Sequence, residues 1–246
     1  MSKKYYQKNK IKSLPKGRRF VIGDIHGCYL TFKKIVEKKI QLNKNDQLFL
    51  LGDYIDKGPE SKKVLNYIMK LIKKGFAVYP LRGNHEQILL DTEINDRKEV
   101  LVWLMRRSPN MLKNRKLRKK HRDFLNSLAL FYELDRFFLV HANFNYKIKD
   151  PFEDKTSMMW KRKFDWDGKI LKNKTLIHGH QPTNISKIIQ TVKIKNRVIG
   201  LDNGVNYIKK HKIYDYTEMG NICALNLDTF ELLIQYNCEI YSVQKR

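Results

Sequence analysis

An α/β fold of two packed sheets is what this 246-residue sequence predicts. Three observations lead there. Short apolar runs alternate with helical patterns over residues 20–86. After residue 130 the pattern turns to paired short strands. The strands then outnumber what one open parallel sheet needs, so two sheets packed face to face are expected.

The elements follow in order. Phe20-Val21-Ile22 is a short buried-type run that stops at Gly23-Asp24-Ile25-His26-Gly27. A helical pattern follows through Leu30, Ile35, Val36 and Ile40. Gln47 to Leu51 reads as a second strand, running into Gly52-Asp53, and a second helix carries Val64, Leu65, Ile68, Met69 and Ile72. Phe76 to Leu81 reads as a third strand, ending at Gly83-Asn84-His85-Glu86. This βαβαβ order favours parallel strands with helices outside. Residues 86–130 read as helical, with a basic stretch from Lys113 to Arg122 taken as a solvated face or a cap insertion. Two runs flank Asp135-Arg136 as a hairpin. Thr175 to Ile177 and Val198 to Leu201 are further strands, and Ile222 to Leu227 pairs with Phe230 to Ile234 around Asp228-Thr229. No internal repeat or Pro/Gly/Ser linker divides the chain. Residues 1–19 read as a basic N-terminal extension and residues 20–246 as one domain.

Composition excludes several classes. No run approaches the roughly 18 consecutive apolar residues that span a bilayer, so no membrane partner is expected. Met1 to Arg19 is basic without an apolar core, unlike a secretory signal. Cys28, Cys223 and Cys238 are odd in number and widely spaced. They read as free thiols in a reducing, cytoplasmic compartment. The formal net charge of +25 favours anionic, phosphorylated ligands. A nucleic-acid partner is compatible with that charge, but no RNP-like run, helix-turn-helix signal or finger spacing supports it.

Each cluster of metal-capable residues falls just after a strand: Asp24 and His26, Asp53, Asn84 and His85, His141, and His178 and His180. In open α/β sheets the ligand crevice lies beyond the carboxyl ends of the strands, where separate loops converge. Two divalent cations need carboxylates and neutral imidazoles, with one carboxylate bridging. Asp24 and His26 can hold one cation. Asn84, His141 and His180 can hold the other, with Asp53 between them. Mixed nitrogen and oxygen ligands suit manganese, iron or zinc, with manganese the first expectation. A water between such ions is nucleophilic near neutral pH. His85 follows a ligand directly and is expected to act as general acid, its tautomer held by Asp56.

Taken together, GDIHG (23–27), GDYIDKGP (52–59), GNHE (83–86), HAN (141–143) and HGHQPT (178–183) resemble the signature of PPP-type, calcineurin-like metallophosphoesterases. That group includes bacterial and phage protein phosphatases and their diadenosine-tetraphosphatase relatives. The resemblance implies a four-layer α/β/β/α sandwich of two mixed sheets around a dinuclear metal site. It implies metal ligation by Asp24, His26, Asp53, Asn84, His141 and His180, with His178 left structural. It also implies His85 as the acid, Asp56 as its partner, and a phosphate clamp at Arg162 within Met159-Trp160-Lys161-Arg162. Where the family has Arg after the second Asp of GDxxD, this chain has Lys57, which supplies charge without a planar fork. The implied activity is a phosphomonoesterase acting on phosphoserine, phosphothreonine or phosphotyrosine in protein or peptide, or on small phosphoesters. The alternative is hydrolysis of diadenosine tetraphosphate or another nucleotide polyphosphate. GNHE and the second Asp, Asp56, resemble the protein-phosphatase branch more closely. Arg82 is expected to brace loops, His121 to be solvated, and Asp202 and His211 to be structural.

Overall fold

The computed structural model describes residues 9–95, 111–113, 116–163, 165–207 and 216–239. Two mixed sheets pack against each other. In the first, β1 (Arg19–Ile22), β2 (Gln47–Leu50) and β3 (Ala77–Pro80) run parallel. The antiparallel β11 (Asn221–Asn226) lies on the other side of β1, flanked by β10 (Asp202–Asn203) and β12 (Leu232–Tyr236). In the second, β7 (Phe137–Val140), β8 (Thr175–His178) and β9 (Val198–Gly200) run parallel, with β6 (Phe131–Glu133) antiparallel at the edge. The hairpins expected around Asp135-Arg136 and Asp228-Thr229 are both present.

Period-two alternation sorts the side chains into layers. Phe20 and Ile22 of β1, Leu48 and Leu50 of β2, and Ile222 and Ala224 of β11 face outward from the first sheet. There they meet Phe32, Val36, Val64, Leu65 and Ile68. These come from α1 (Tyr29–Lys34, continuing as π-helical turns Ile35–Ile40) and α2 (Ser61–Lys73). The intervening Val21, Phe49, Cys223 and Leu225 face the second sheet, against Phe137, Leu139, Ile177 and Ile199. Phe138, Val140 and Leu176 point to the far side, under Phe144, Leu171 and Met158 of α5 (Lys155–Trp160). The result is an α/β/β/α sandwich. Its fourth layer is largely an aromatic loop rather than helix, while α6 (Ile185–Lys193) sends Ile188 and Val192 into the middle layer.

The middle of the chain departs from a continuous helix. α3 (Asn84–Asn95) follows β3, and residues 96–110 lie outside the described set. Then come a short hairpin, β4 (Leu112–Lys113) with β5 (Lys116–Leu117), and α4 (Lys119–Ser127). The basic stretch is therefore part hairpin, part helix. His121 is not solvated, because it lies on the face of α4 that packs inward and is fully buried. Its Nε2 faces Asn66 Oδ1 of α2 at 3.0 Å. Burial, followed by the charges of Lys120, Lys62 and Arg118, lowers its pKa to about 4.

The described part of the N-terminal extension is built into the sandwich. Ile11 donates its N–H to the Glu133 carbonyl, and the Glu133 N–H donates to Asn9. This adds a bridge to the free edge of β6. Arg18 pairs with Asp46 at 2.7 Å, and Arg19 pairs with Asp228 and Asp135, each at 2.6 Å. Among the described residues, no helix is long and apolar enough to cross a membrane, and the three cysteines are free thiols.

Candidate active site

Within each sheet β1, β2 and β3, and β7 and β8, run the same way, and contacts of His141 with Leu51 and Asn84 and of His180 with Asp24 bring the loops that leave them together at one end of the sandwich. The peptide N–H groups of Ile25 and His26 both donate to the Asp53 carbonyl, at 3.1 and 2.7 Å. Asp24 accepts the His180 N–H at 3.1 Å, which joins the first sheet to the second. Close approach explains two glycines. A Cβ at Gly83 would strike the Asp53 carboxylate, and one at Gly179 would strike that of Asp24. Five non-glycine residues here hold positive φ: His26 (44°), Asp53 (51°), Asp56 (72°), Lys57 (66°) and His180 (65°). Each costs roughly 1–2 kcal/mol, and such strain persists only where the surroundings over-determine it.

The bracing comes from a residue to which sequence reasoning gave no role. Glu86 is fully buried. Its Oε2 accepts the N–H groups of Asp53 and Gly83 at 2.9 and 3.0 Å, and its Oε1 those of Tyr54 and Ile55 at 2.8 and 3.3 Å. One carboxylate thus satisfies four backbone donors from two loops. Burial first, then the neighbouring Asp53 charge, raises its pKa to about 7 against the pull of those donors and His85. The final letter of GNHE was the available signal. Arg82 ties α3 to α4, donating to Gln87 Oε1 and the Asn126 carbonyl, each at 2.9 Å.

Two groups of donor atoms result: His26, Asp53 and His85, and Asp53, His141 and His180. Asp53 belongs to both. Its Oδ2 lies 3.6 Å from His26 Nε2, and its Oδ1 lies 3.4 Å from His141 Nε2. Asp24 Oδ2 stands 3.9 Å from His26 Nε2. Asn84 Oδ1 stands 3.0 Å from both His141 Nε2 and His180 Nδ1. Donors bound about 2.1 Å from one ion are about 3.0 Å apart at octahedral angles and about 3.4 Å apart at tetrahedral ones, so the separations around Asn84, His141, His180 and Asp53 Oδ1 fit a cation, while those from His26 to Asp53 (3.6 Å) and to Asp24 (3.9 Å) are wider and require closer approach on binding.

Tautomers and charge agree with that fit. The His26 Nδ1–H donates to the Ile55 carbonyl at 3.1 Å, and the His141 Nδ1–H to the Leu51 carbonyl at 2.9 Å. Each therefore turns an Nε2 lone pair inward. His141 Nε2 then faces the Asn84 carbonyl oxygen, acceptor against acceptor, a contact that a cation between them makes favourable. Burial lowers the pKa of all three ligand-type histidines, and His180 falls to about 3. They are neutral at physiological pH, as ligation requires. Burial works against ionisation of Asp53, but His141, His85, His26 and Lys57 outweigh it and hold its pKa below the usual range. Asp24 is pushed the other way, by burial and then by Asp202 and Asp53.

The remaining predicted residues surround these groups. His85 donates from Nδ1 to Asp56 Oδ2 at 2.8 Å, and its Nε2 stands 3.7 Å from Asp53 Oδ2. Burial alone would lower its pKa, but Asp53 and Asp56 outweigh this and the net shift is upward. Lys57 Nζ lies 2.8 Å from His26 Nε2. Arg162 is exposed just beyond α5, close enough for its charge to act on His180 and Tyr207. Asn143 holds that segment, donating to the carbonyls of Lys163 and Asp165 at 2.9 and 3.0 Å. His178 stands apart from both donor groups, with Nδ1 2.9 Å from the Gly179 carbonyl. Asp202 is buried close enough to act on Asp24. His211 lies outside the described residues.

Known proteins share these features. Part of the chain is similar to proteins named bis(5'-nucleosyl)-tetraphosphatase, symmetrical. The one from Wigglesworthia glossinidia brevipalpis is 49% identical over 72 residues, covering 29% of this chain and 25% of the relative. The one from Nitrosococcus oceani is 34% identical over 116 residues, covering 40% of each. The chain thus matches a quarter to two fifths of those relatives' length. The cold-active protein-tyrosine phosphatase of a psychrophilic Shewanella has the same fold, with a TM-score of 0.60 at 15% identity over 92% of this chain and 82% of that one. Residues 17–217, which carry every motif and both donor groups, match the calcineurin-like phosphoesterase family. The chain belongs to that family and is a hydrolase.

Proposed function

We propose that the protein hydrolyses dinucleoside polyphosphates. The observation that carries this reading is the 49% identity, over 72 residues, to a protein named as a symmetrical tetraphosphatase. In this reading Asp24, His26 and Asp53 would hold one divalent cation. Asn84, His141 and His180, again with Asp53, would hold the second. Manganese is the first expectation, with iron or zinc as alternatives. When bound, the cations supply positive charge to phosphoryl oxygens and acidify water at neutral pH. His85 stays protonated to give its proton to the departing phosphate oxygen, and Asp56 fixes the ring. Lys57 and Arg162 receive phosphate oxygens. Lys57 does so as a point charge without a fork. A linear polyphosphate carries several negative charges, and the surplus of basic residues suits it. Free thiols are consistent with a reducing cytoplasm.

A second reading, phosphoprotein phosphatase, is favoured by the Asp56–His85 pair at 2.8 Å, since tetraphosphatases tend to lack that aspartate. One comparison separates the two. The Mn²⁺-loaded protein is given diadenosine tetraphosphate and, in parallel, a phosphoserine peptide. ADP release at a kcat/KM at least tenfold above that of phosphate release from the peptide is the expected outcome. The reverse ranking establishes the protein-phosphatase reading instead.

A further inference from the structure

We propose that Glu239 is a positioning residue for the first metal loop, acting from the far end of the chain through the N-terminus of α1. The inference rests on reading Asp24 and His26 as cation ligands and is independent of the substrate.

α1 begins three residues after His26, and its first turn contains no acidic residue. Cys28, at the capping position, makes no side-chain bond to that turn. The first N–H groups of a helix need acceptors, and one capping side chain is worth about 0.5–2 kcal/mol. Glu239 fills this role from 208 residues away. Its Oε1 accepts the Thr31 N–H at 3.0 Å and the Thr31 hydroxyl at 3.3 Å, and the carboxylate also accepts the Leu30 N–H. A carboxylate there also lies at the positive end of the helix dipole. The group is only 4% exposed, so losing it leaves buried donors without partners.

Asn237 extends the clamp. Its Oδ1 accepts the Glu239 N–H at 2.6 Å, and its Nδ2 donates to the Val205 carbonyl at 2.7 Å. The Cys238 N–H donates to Thr31 Oγ1 at 2.9 Å. One short segment after β12 therefore fixes the start of α1 and the turn that follows Asp202. The His26 loop has the same α1 start as its downstream anchor. His26 itself sits in the left-handed region, so it depends on its two flanks to stay there.

The test is Mn²⁺ titration by calorimetry on the full chain, comparing wild type, Glu239→Ala and Glu239→Gln. His26→Asn and His180→Asn identify which binding step belongs to which side. Glu239→Ala is expected to weaken the His26-side step at least tenfold and leave the other within twofold. Glu239→Gln keeps an acceptor and is expected to fold, weakening the same step about threefold. The inference is overturned if Glu239→Gln, and Glu239→Ala where it folds, bind both cations as wild type does, even with lowered melting temperatures. Equal weakening of both steps overturns it too. A wild-type chain that takes up no Mn²⁺ removes the ligand reading beneath it, a result distinct from the others.

Discussion

The two sides of the site are held in different ways. On the first sheet, the Asp53 loop and the turn into α3, which carries Asn84 and His85, are cross-tied by the Glu86 carboxylate, the loop of Asp24 and His26 hangs on the Asp53 carbonyl, and His26, Asp53 and Asp56 stand at positive φ alongside Lys57. On the second sheet, His141 and His180 come almost directly off strand ends. His141 is oriented by a bond to Leu51, and His180 by its N–H to Asp24. The first side builds a precise loop geometry out of buried carboxylates. The second takes its geometry from the strands. Loss of a brace should therefore damage the fold on the first side, whereas loss of a ligand on the second should damage only cation binding.

The largest expected effect tests chemistry on the first side. His85→Ala should lower kcat about 10²–10⁴-fold, the usual range for a general acid. Metal analysis of the same variant should still find two ions per chain. If one ion is lost instead, His85 acts as a ligand, which its place in the first donor group allows.

The next test contrasts the two sides directly, in metal-free protein. Glu86→Ala leaves four buried backbone donors without an acceptor and should cost roughly 3–5 kcal/mol, lowering Tm by about 10 °C. His180→Asn, a residue that tolerates positive φ, should cost under about 1 kcal/mol while losing one cation. Equal melting temperatures for the two variants would abolish the distinction.

The smallest effect lies away from the site. His121 has a folded-state pKa near 4, below the unfolded value of about 6.5. The fold therefore favours the neutral ring. That contribution is complete above pH 6.5 and is lost as pH falls from there toward 4. At pH 5 the loss is at most about 2 kcal/mol. Metal-free His121→Gln should lose less stability than wild type between pH 7 and pH 5, as read by urea melts. Identical losses would mean the ring is wetter than its burial implies.

What was legible in the sequence follows from what is local. The alternation Phe20-Val21-Ile22 fixes which side chains face which layer, and each ligand-type residue sits in a motif a few residues long. Contacts between distant residues had no local signal. Nothing near Glu86 states that its carboxylate reaches back to Asp53, Tyr54 and Ile55. Nothing in the Lys113 to Arg122 stretch separates buried His121 from its exposed neighbours except its place on the inward face of a helix whose partner, α2, lies more than forty residues earlier. Asn9 to Ile11 looked like a basic tail because its partner is the edge of a strand at Glu133. Asp202 gave no sign of its closeness to Asp24 for the same reason.

β11 has a consequence for the order in which the protein matures. It pairs with β1, the strand that leads into the Asp24 and His26 loop, yet lies far downstream of it in the sequence. A nascent chain displays GDIHG, GDYID and GNHE long before Asn221 to Glu239 leaves the ribosome. Until then β1 has one bare edge, and α1 lacks its acceptor. Every proposed ligand can therefore be translated while the site is still unfinished, and the delay separates making the proposed catalytic residues from arming them.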